Sequence, residues 1–272
     1  MTVQATAALP LQGMGILITR PAQQADRLCR LIEAQGGTTI RFPTLEILAP
    51  QDLTPALAII DRLDDYALAI FISANAVSHG LALIRERRVL PPQVRRIAIG
   101  QGTARELERW GAPAHRLPGH TFNSEALLAL PEMQAVAGQR IVIFRGQGGR
   151  ELLGDTLRER GARVAYAEVY RRAKPIAPAN KLLEYWACKK IHAVIVTSPD
   201  SLRNLFDIVG EGGQQWLCHT PLIVVSARTR QLAQQLGFSH SPLLAREASD
   251  EAIVETLIEM APSPIRVTSG DP

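Results

Sequence analysis

The chain has 272 residues, room for two domains at roughly 100–200 residues each. Hydrophobic residues make up 46% and charged residues 21%, which supports a packed core and excludes a disordered chain. The net charge of +4 rests on arginine; lysine occurs only at Lys174, Lys181, Lys189 and Lys190, leaving no strand-end lysine for pyridoxal chemistry.

Residues 1–13 have no basic start and no long apolar stretch, and read as a tail rather than a signal peptide. The first β-branched run, Ile16–Ile18, predicts a strand that ends at Thr19-Arg20. Ala25, Leu28, Cys29 and Ile32 follow at helical spacing on one face. Further strands are predicted at Leu68–Ile72, Ile97–Ile99, Ile141–Phe144, Val194–Val196 and Leu222–Val225. Such continuous apolar runs are buried on both faces, as in parallel sheets. After the last run, Leu232, Ala233 and Leu236 mark a helix face before the stop at Gly237. No apolar run approaches the roughly 18 residues of a membrane helix.

The halves align almost without gaps. Gly15 to Glu46 matches Arg140 to Arg171, and Ser73 matches Ser198, at an offset of 125. Thr103 and Gly111 match Thr229 and Gly237, and Ser124-Glu125-Ala126-Leu127 matches Asp250-Glu251-Ala252-Ile253, at 126. The pattern is a duplicated β-α-β-α-β-α unit with a fourth helix: two doubly wound parallel-sheet α/β domains. Ligands bind such sheets beyond the carboxyl ends of the strands, so two of them on a flexible link would make a cleft.

The strand ends are Thr19-Arg20, Ser73-Ala74-Asn75, Gly100-Gln101-Gly102-Thr103, Arg145-Gly146-Gln147-Gly148-Gly149-Arg150, Thr197-Ser198 and Ser226-Ala227-Arg228-Thr229. Nearly all are small, hydroxylic or basic. Two readings stand for the hydroxyls, helix N-caps or anion ligands, and two for Arg20 and Arg145, ion pairs or carboxylate clamps. Arg145–Arg150 lacks the Gly-Lys-Ser/Thr ending of a phosphate loop, and no G-x-G-x-x-G follows the first strand. Cys29, Cys188 and Cys218 are odd in number and widely spaced, and the histidines are scattered, so no metal site is expected. His79, His192 and His219 read as packed or surface residues.

The ordered set Ile18-Thr19-Arg20-Pro21, Ser73-Ala74-Asn75-Ala76-Val77, Gly100-x-x-Thr103-Ala104, Ser124-Glu125-Ala126-Leu127, Arg145-Gly146, Val169-Tyr170-Arg171, Thr197-Ser198 and Thr229 resembles the uroporphyrinogen-III synthase family over residues 14–260. The resemblance implies that the first β-α unit belongs with the C-terminal part. Residues 14–46 and 174–263 then form one domain and 50–168 the other. Tails lie at 1–13 and 264–272, and a two-stranded extended linker runs through 44–50 and 166–175. It implies a lyase without cofactor or metal; a cytoplasmic monomer with no nucleic-acid or membrane partner is the default expectation. Its substrate would be hydroxymethylbilane, an acidic linear tetrapyrrole. The hydroxyl leaves as water with acid help, the terminal pyrrole attacks through its substituted carbon to give a spiro intermediate, and fragmentation and reclosure invert that ring in uroporphyrinogen III. The free bilane closes unaided to the other isomer, so positioning is the main task.

The expected substrate-binding residues are Thr19, Arg20, Ser73, Asn75, Thr103, Arg145, Gly146, Ser198 and Thr229. Tyr170, which matches the family's catalytic candidate, is the expected acid, with a hinge role as its alternative. Strand alternation predicts that Tyr166 and Tyr170 share a face. The competing function is a non-catalytic two-domain binding protein for an acidic metabolite.

Overall fold

The computed structural model describes residues 9–115 and 124–262. In chain order its elements are β1 (Gly15–Ile18), α1 (Ala22–Ala34), β2 (Thr38–Arg41), β3 (Glu46–Leu48), α2 (Thr54–Asp61), β4 (Leu68–Phe71), α3 (Ala74–Arg87), β5 (Arg95–Ala98), α4 (Gln101–Arg109), α5 (Ser124–Leu128) and α6 (Pro131–Gln134). They continue with β6 (Arg140–Gly146), α7 (Leu152–Glu159), β7 (Arg163–Ala173), α8 (Asn180–Ala187), β8 (Ala193–Val196), α9 (Pro199–Cys218), β9 (Leu222–Val224), α10 (Ala227–Gln235), β10 (Leu243–Leu244) and α11 (Asp250–Met260). The chain divides into two compact units, one of residues up to Glu46 and from Lys174 onward, the other Ile47–Ala173.

The first unit is a parallel five-stranded sheet in the order β10-β9-β8-β1-β2. The run Ile16-Leu17-Ile18 is fully buried because β1 lies inside the sheet with helices on both faces. Ile16 and Ile18 pack with Leu28, Ile32 and Ile253 of α1 and α11; Leu17 faces Leu182, Trp186 and Leu205 of α8 and α9. The predicted α1 face is the buried one: Ala25, Leu28, Cys29 and Ile32. Leu11 is also fully buried in this core, so residues 9–13 are part of the fold and not a tail. The expected tails at 1–8 and 264–272 lie outside the described residues.

The second unit has the order β3-β7-β6-β4-β5, parallel from β7 to β5. Phe71 and Phe144, on adjacent central strands, stack at 4.7 Å on the α3 face. Leu68, Ile70, Ile141 and Ile143 point the other way, toward α5, α6 and α7. The duplication is a circular permutation in space. By the 125-residue offset β6-α7-β7 matches β1-α1-β2, and β4-α3 matches β8-α9. In both sheets the strand order reverses at a central pair, β1/β8 and β6/β4, and such switch points open a crevice at the strand carboxyl ends. Among the described residues no helix is long and apolar enough to cross a membrane.

Candidate active site

At the β6/β4 switch point, α3 begins on Ser73, whose Oγ accepts from the Ala76 N–H at 3.0 Å. The same oxygen shares a 3.2 Å hydrogen bond with the Tyr170 hydroxyl. Tyr170 is only 2% exposed and packs in the α3 core. Gly146 makes room for its ring: a Cβ there would lie 2.6 Å from Tyr170 Cε2. The His79 ring, one turn along α3, lies 5.9 Å from the Tyr170 ring. Burial pushes the His79 imidazole below its ordinary pKa and favours the neutral form.

The shared face expected for Tyr166 and Tyr170 is not observed. The β6–β7 register shifts between Arg145 and Gly146, which oppose Glu168 and Tyr170. The bulge takes up one extra residue and breaks the alternation. Val164 and Tyr166 therefore face the α5–α7 core, whereas Ala167, Val169 and Tyr170 face α3. Tyr166 packs on α7 instead, where a Cβ on Gly154 would lie 1.9 Å from its hydroxyl. Burial first and the neighbouring Glu151 carboxylate second hold the Tyr166 phenol above its usual pKa. Its oxygen meets no partner at hydrogen-bond distance.

Arg145 is enclosed, with a side chain 3% exposed. Its guanidinium donates to the carbonyls of Gly146 and Gly148 and to Glu151 Oε1, and stacks 4.6 Å from the Tyr166 ring centroid. These contacts shape the 146–149 loop, which is held from the other side by Gly148 N–H donating to Glu168. The ion-pair reading of Arg145 thus describes this conformation, because an enclosed guanidinium is not presented to a ligand.

At the β1/β8 switch point the hydroxyls are likewise engaged. Thr19 is fully buried; its Oγ1 donates to the Ile195 carbonyl at 2.9 Å and ties β1 to β8. Arg20 donates to Asp250 Oδ1 at 2.5 Å, in the first turn of α11. Ser198 caps α9 and donates to the buried Ser201 hydroxyl. Thr229 is fully buried, with its N–H and hydroxyl both on Ser226, the α10 cap. The N-cap reading therefore describes Ser73 and Ser198, and the caps Ser226 and Ser249 complete the set. By contrast α4 starts on Gly100 without a side-chain cap, with Thr103 buried in its first turn and its leading N–H groups uncovered by a hydroxyl. Asn75 is half-buried in the first turn of α3.

The family model described as uroporphyrinogen-III synthase HemD matches residues 26–255. The chain belongs to the uroporphyrinogen-III synthase family. It is 36% identical to the uroporphyrinogen-III synthase of Salmonella typhimurium over 247 residues, covering 90% of this chain and all of that protein. The Escherichia coli uroporphyrinogen-III synthase is 32% identical, again over its full length and 90% of this chain. Among solved structures, a mutant Thermus thermophilus uroporphyrinogen III synthase matches with a TM-score of 0.60 at 17% identity, over 90% of this chain and 98% of that one. The Helicobacter pylori uroporphyrinogen-III synthetase matches at 0.58 and 16%, over 91% and 99%. At such identities the structures speak for the fold alone. These matches do not favour a non-catalytic binding protein.

Within this synthase family member, Ser73 and Gly146 are each brought against Tyr170 from a different segment. Thr19, Arg145 and Thr229 are brought to the strand ends but turned inward. Reading by residue type missed the contact of His79 with Tyr170 and the anchoring role of Asp250. His79 carries a signal, since it lies six residues past the α3 cap on a helix that packs on β7. Asp250 carries none, because its partner is 230 positions away.

Proposed function

We propose that this chain is a hydro-lyase that closes hydroxymethylbilane, with loss of water, into uroporphyrinogen III. The observation that carries the reading is the match to full-length synthases at 36% and 32% identity. The strand-end chemistry supports it. Acetate and propionate groups call for backbone N–H groups, hydroxyls and cations; the first turn of α4, Ser73 with Asn75, and the capped starts of α9 and α10 offer donors of the first two kinds. Substrate contacts would then come from α4 and α3 at Thr103 and Ser73, and from Ser198, with Arg20 and Arg145 shaping the surrounding loops.

Tyr170 serves as the proton source in this proposal, and Ser73 carries the proton outward. The Ala76 N–H donates to Ser73 Oγ, and either hydroxyl can donate in the bond shared with Tyr170; in this proposal the phenol is the donor, so the serine has its own proton left to give. Ser73 passes it to the departing hydroxyl of the bilane, which leaves as water, and takes one from the phenol. Spiro closure, fragmentation and reclosure are then matters of positioning, and the proton that the terminal pyrrole carbon loses on reclosure returns through Ser73 to the Tyr170 phenolate, which restores the acid. A monomeric state and a cytoplasmic location belong to the same proposal; sedimentation analysis tests the first. Incubation with enzymatically generated hydroxymethylbilane, followed by separation of product isomers, tests the function. Type III product is expected, and type I alone, at the uncatalysed rate, would refute it.

A further inference from the structure

In the first unit β2 is the edge of its sheet, and a groove of about 980 Å³ runs beside it. Residues 38–42 form one wall, α8 with Lys181 and Tyr185 the other, and the Lys189-Lys190 turn completes the lining. In a parallel pair, every second residue of a strand turns both its main-chain groups toward a given neighbour. The N–H groups of Thr38 and Phe42 donate to Met14 and Ile18 on the β1 side, at 2.8 and 2.9 Å. The main-chain N–H and C=O of Thr39 and Arg41 therefore point outward, and among the described residues no strand pairs with β2 there. Their side chains do not cover the edge. Thr39 donates to Glu33 and Arg41 to Asp26, on the α1 side, while Ile40 and Phe42 pack with Leu182 and Tyr185 on the α8 side.

The charge of the groove is one-sided. Three of the chain's four lysines line it, and Arg41 is already answered by Asp26. The ammonium groups of Lys181 and Lys190 each lie 5.8 Å from the Tyr185 ring centroid, and among the described residues no carboxylate pairs with Lys181, Lys189 or Lys190. Lys189 stands at φ 53, the one described non-glycine residue in the left-handed region. Helices usually place glycine there, so this position holds a cation in a conformation that favours another residue. The turn is tightly packed: Lys190 N–H donates to the Tyr185 carbonyl at 2.8 Å, and a Cβ on Gly15 would lie 1.8 Å from the Lys190 oxygen.

We propose that this groove docks an extended acidic segment of a partner protein, which joins β2 as a further strand. Open main-chain groups at strand spacing, an apolar floor and unanswered lysines are what such a strand recognises. A compact polycarboxylate would use the lysines and leave the edge unpaired.

The test uses the full chain and a fluorescein-labelled ten-residue peptide alternating glutamate and valine, read by anisotropy and by amide NMR shifts. Binding is expected to shift the Thr39 and Arg41 amides. N-methylation of alternate peptide amides should weaken it about tenfold or more, as should the double variant Lys181→Ala/Lys190→Ala, with cyclisation unchanged. Equal binding of the N-methylated peptide would replace the strand with mere polyanion binding. No binding at about 1 mM, unchanged affinity of the lysine variant, or shifts confined elsewhere would overturn the proposal.

Discussion

The hydroxyls of Tyr170 and Ser73 meet at 3.2 Å across 97 positions of sequence, one from the bulged end of β7 and the other from the cap of α3. If this pair supplies the proton for departure of the bilane hydroxyl, Tyr170→Phe keeps the fold and slows turnover by roughly ten- to a thousand-fold. The product remains type III, because geometry selects the isomer. Ser73→Ala should slow turnover in the same range and also cost about 1 kcal/mol of stability through the lost cap. Single-turnover kinetics with isomer analysis check both, and wild-type turnover in a folded Tyr170→Phe protein would remove the phenol from the chemistry.

Gly146→Ala drives a methyl group against the Tyr170 ring, at 2.6 Å from Cε2 and 3.1 Å from the hydroxyl oxygen. Because the ring is enclosed, relief must move the hydroxyl away from Ser73. Overpacking of this kind costs about 1–3 kcal/mol, and turnover should fall with it. Denaturant melts and turnover measured on the same preparation check the pairing of the two losses.

His79 carries a pH dependence of stability. Its folded pKa lies below the ordinary value of 6.5, since burial disfavours the imidazolium. The unfolded chain therefore binds the proton first, and stability falls as the pH drops from about 6.5 through the lowered folded value. His115, lowered by burial and then by Arg96 and Arg95, adds to the same window. Melting curves between pH 7 and 5 should show a shallower decline in His79→Gln than in the parent, and a flatter one still when His115→Gln is added. An unaltered slope would sink this assignment.

Arg20 and Asp250 form a pair with side chains 14% and 13% exposed. Removing either partner leaves the other partly enclosed. Arg20→Met and Asp250→Asn should each lower stability by about 1–2 kcal/mol, and the double variant by clearly less than their sum. A double-mutant cycle from denaturant melts measures the coupling. Additive losses would mean the pair is not coupled.

Lys189→Gly removes a left-handed lysine. The strain released is about 1–2 kcal/mol, partly offset by the greater freedom of glycine in the unfolded chain, at about 0.5–1 kcal/mol. A net gain of up to about 1.5 kcal/mol is expected, and calorimetry resolves it.

The central strands and both repeat units are legible in the sequence because β1, β4, β6, β8 and β9 are covered on two faces and read as unbroken apolar runs. β2 escapes that reading: Thr38–Arg41 is an edge strand, half exposed, with no run to find. The strand ends were found, but not what their side chains do there. Thr19, Ser198 and Thr229 look alike as ligands and as clamps until Ile195, Ser201 and Ser226 are seen beside them. The bulge opposite Arg145 is invisible to a rule of strict alternation, which puts Tyr166 and Tyr170 on one face where the structure divides them. The ordered set of short motifs pointed to the family because it samples all these positions at once, where no single one suffices.

The permuted order of the two units sets a timetable for synthesis. Residues 47–173 emerge as one uninterrupted stretch and can close their sheet while the rest is still being made. β1 cannot. The Thr19 hydroxyl waits for the carbonyl of Ile195, 176 residues later, and at ~5–20 residues per second that is a delay of about 10–35 s. Throughout it, Ile16, Leu17 and Ile18 lack their β8 neighbours, and β1 and β2 depend on α1 alone for cover. A nascent chain stalled before β8 should therefore expose this one segment to holding chaperones and proteases, while the second unit is already resistant.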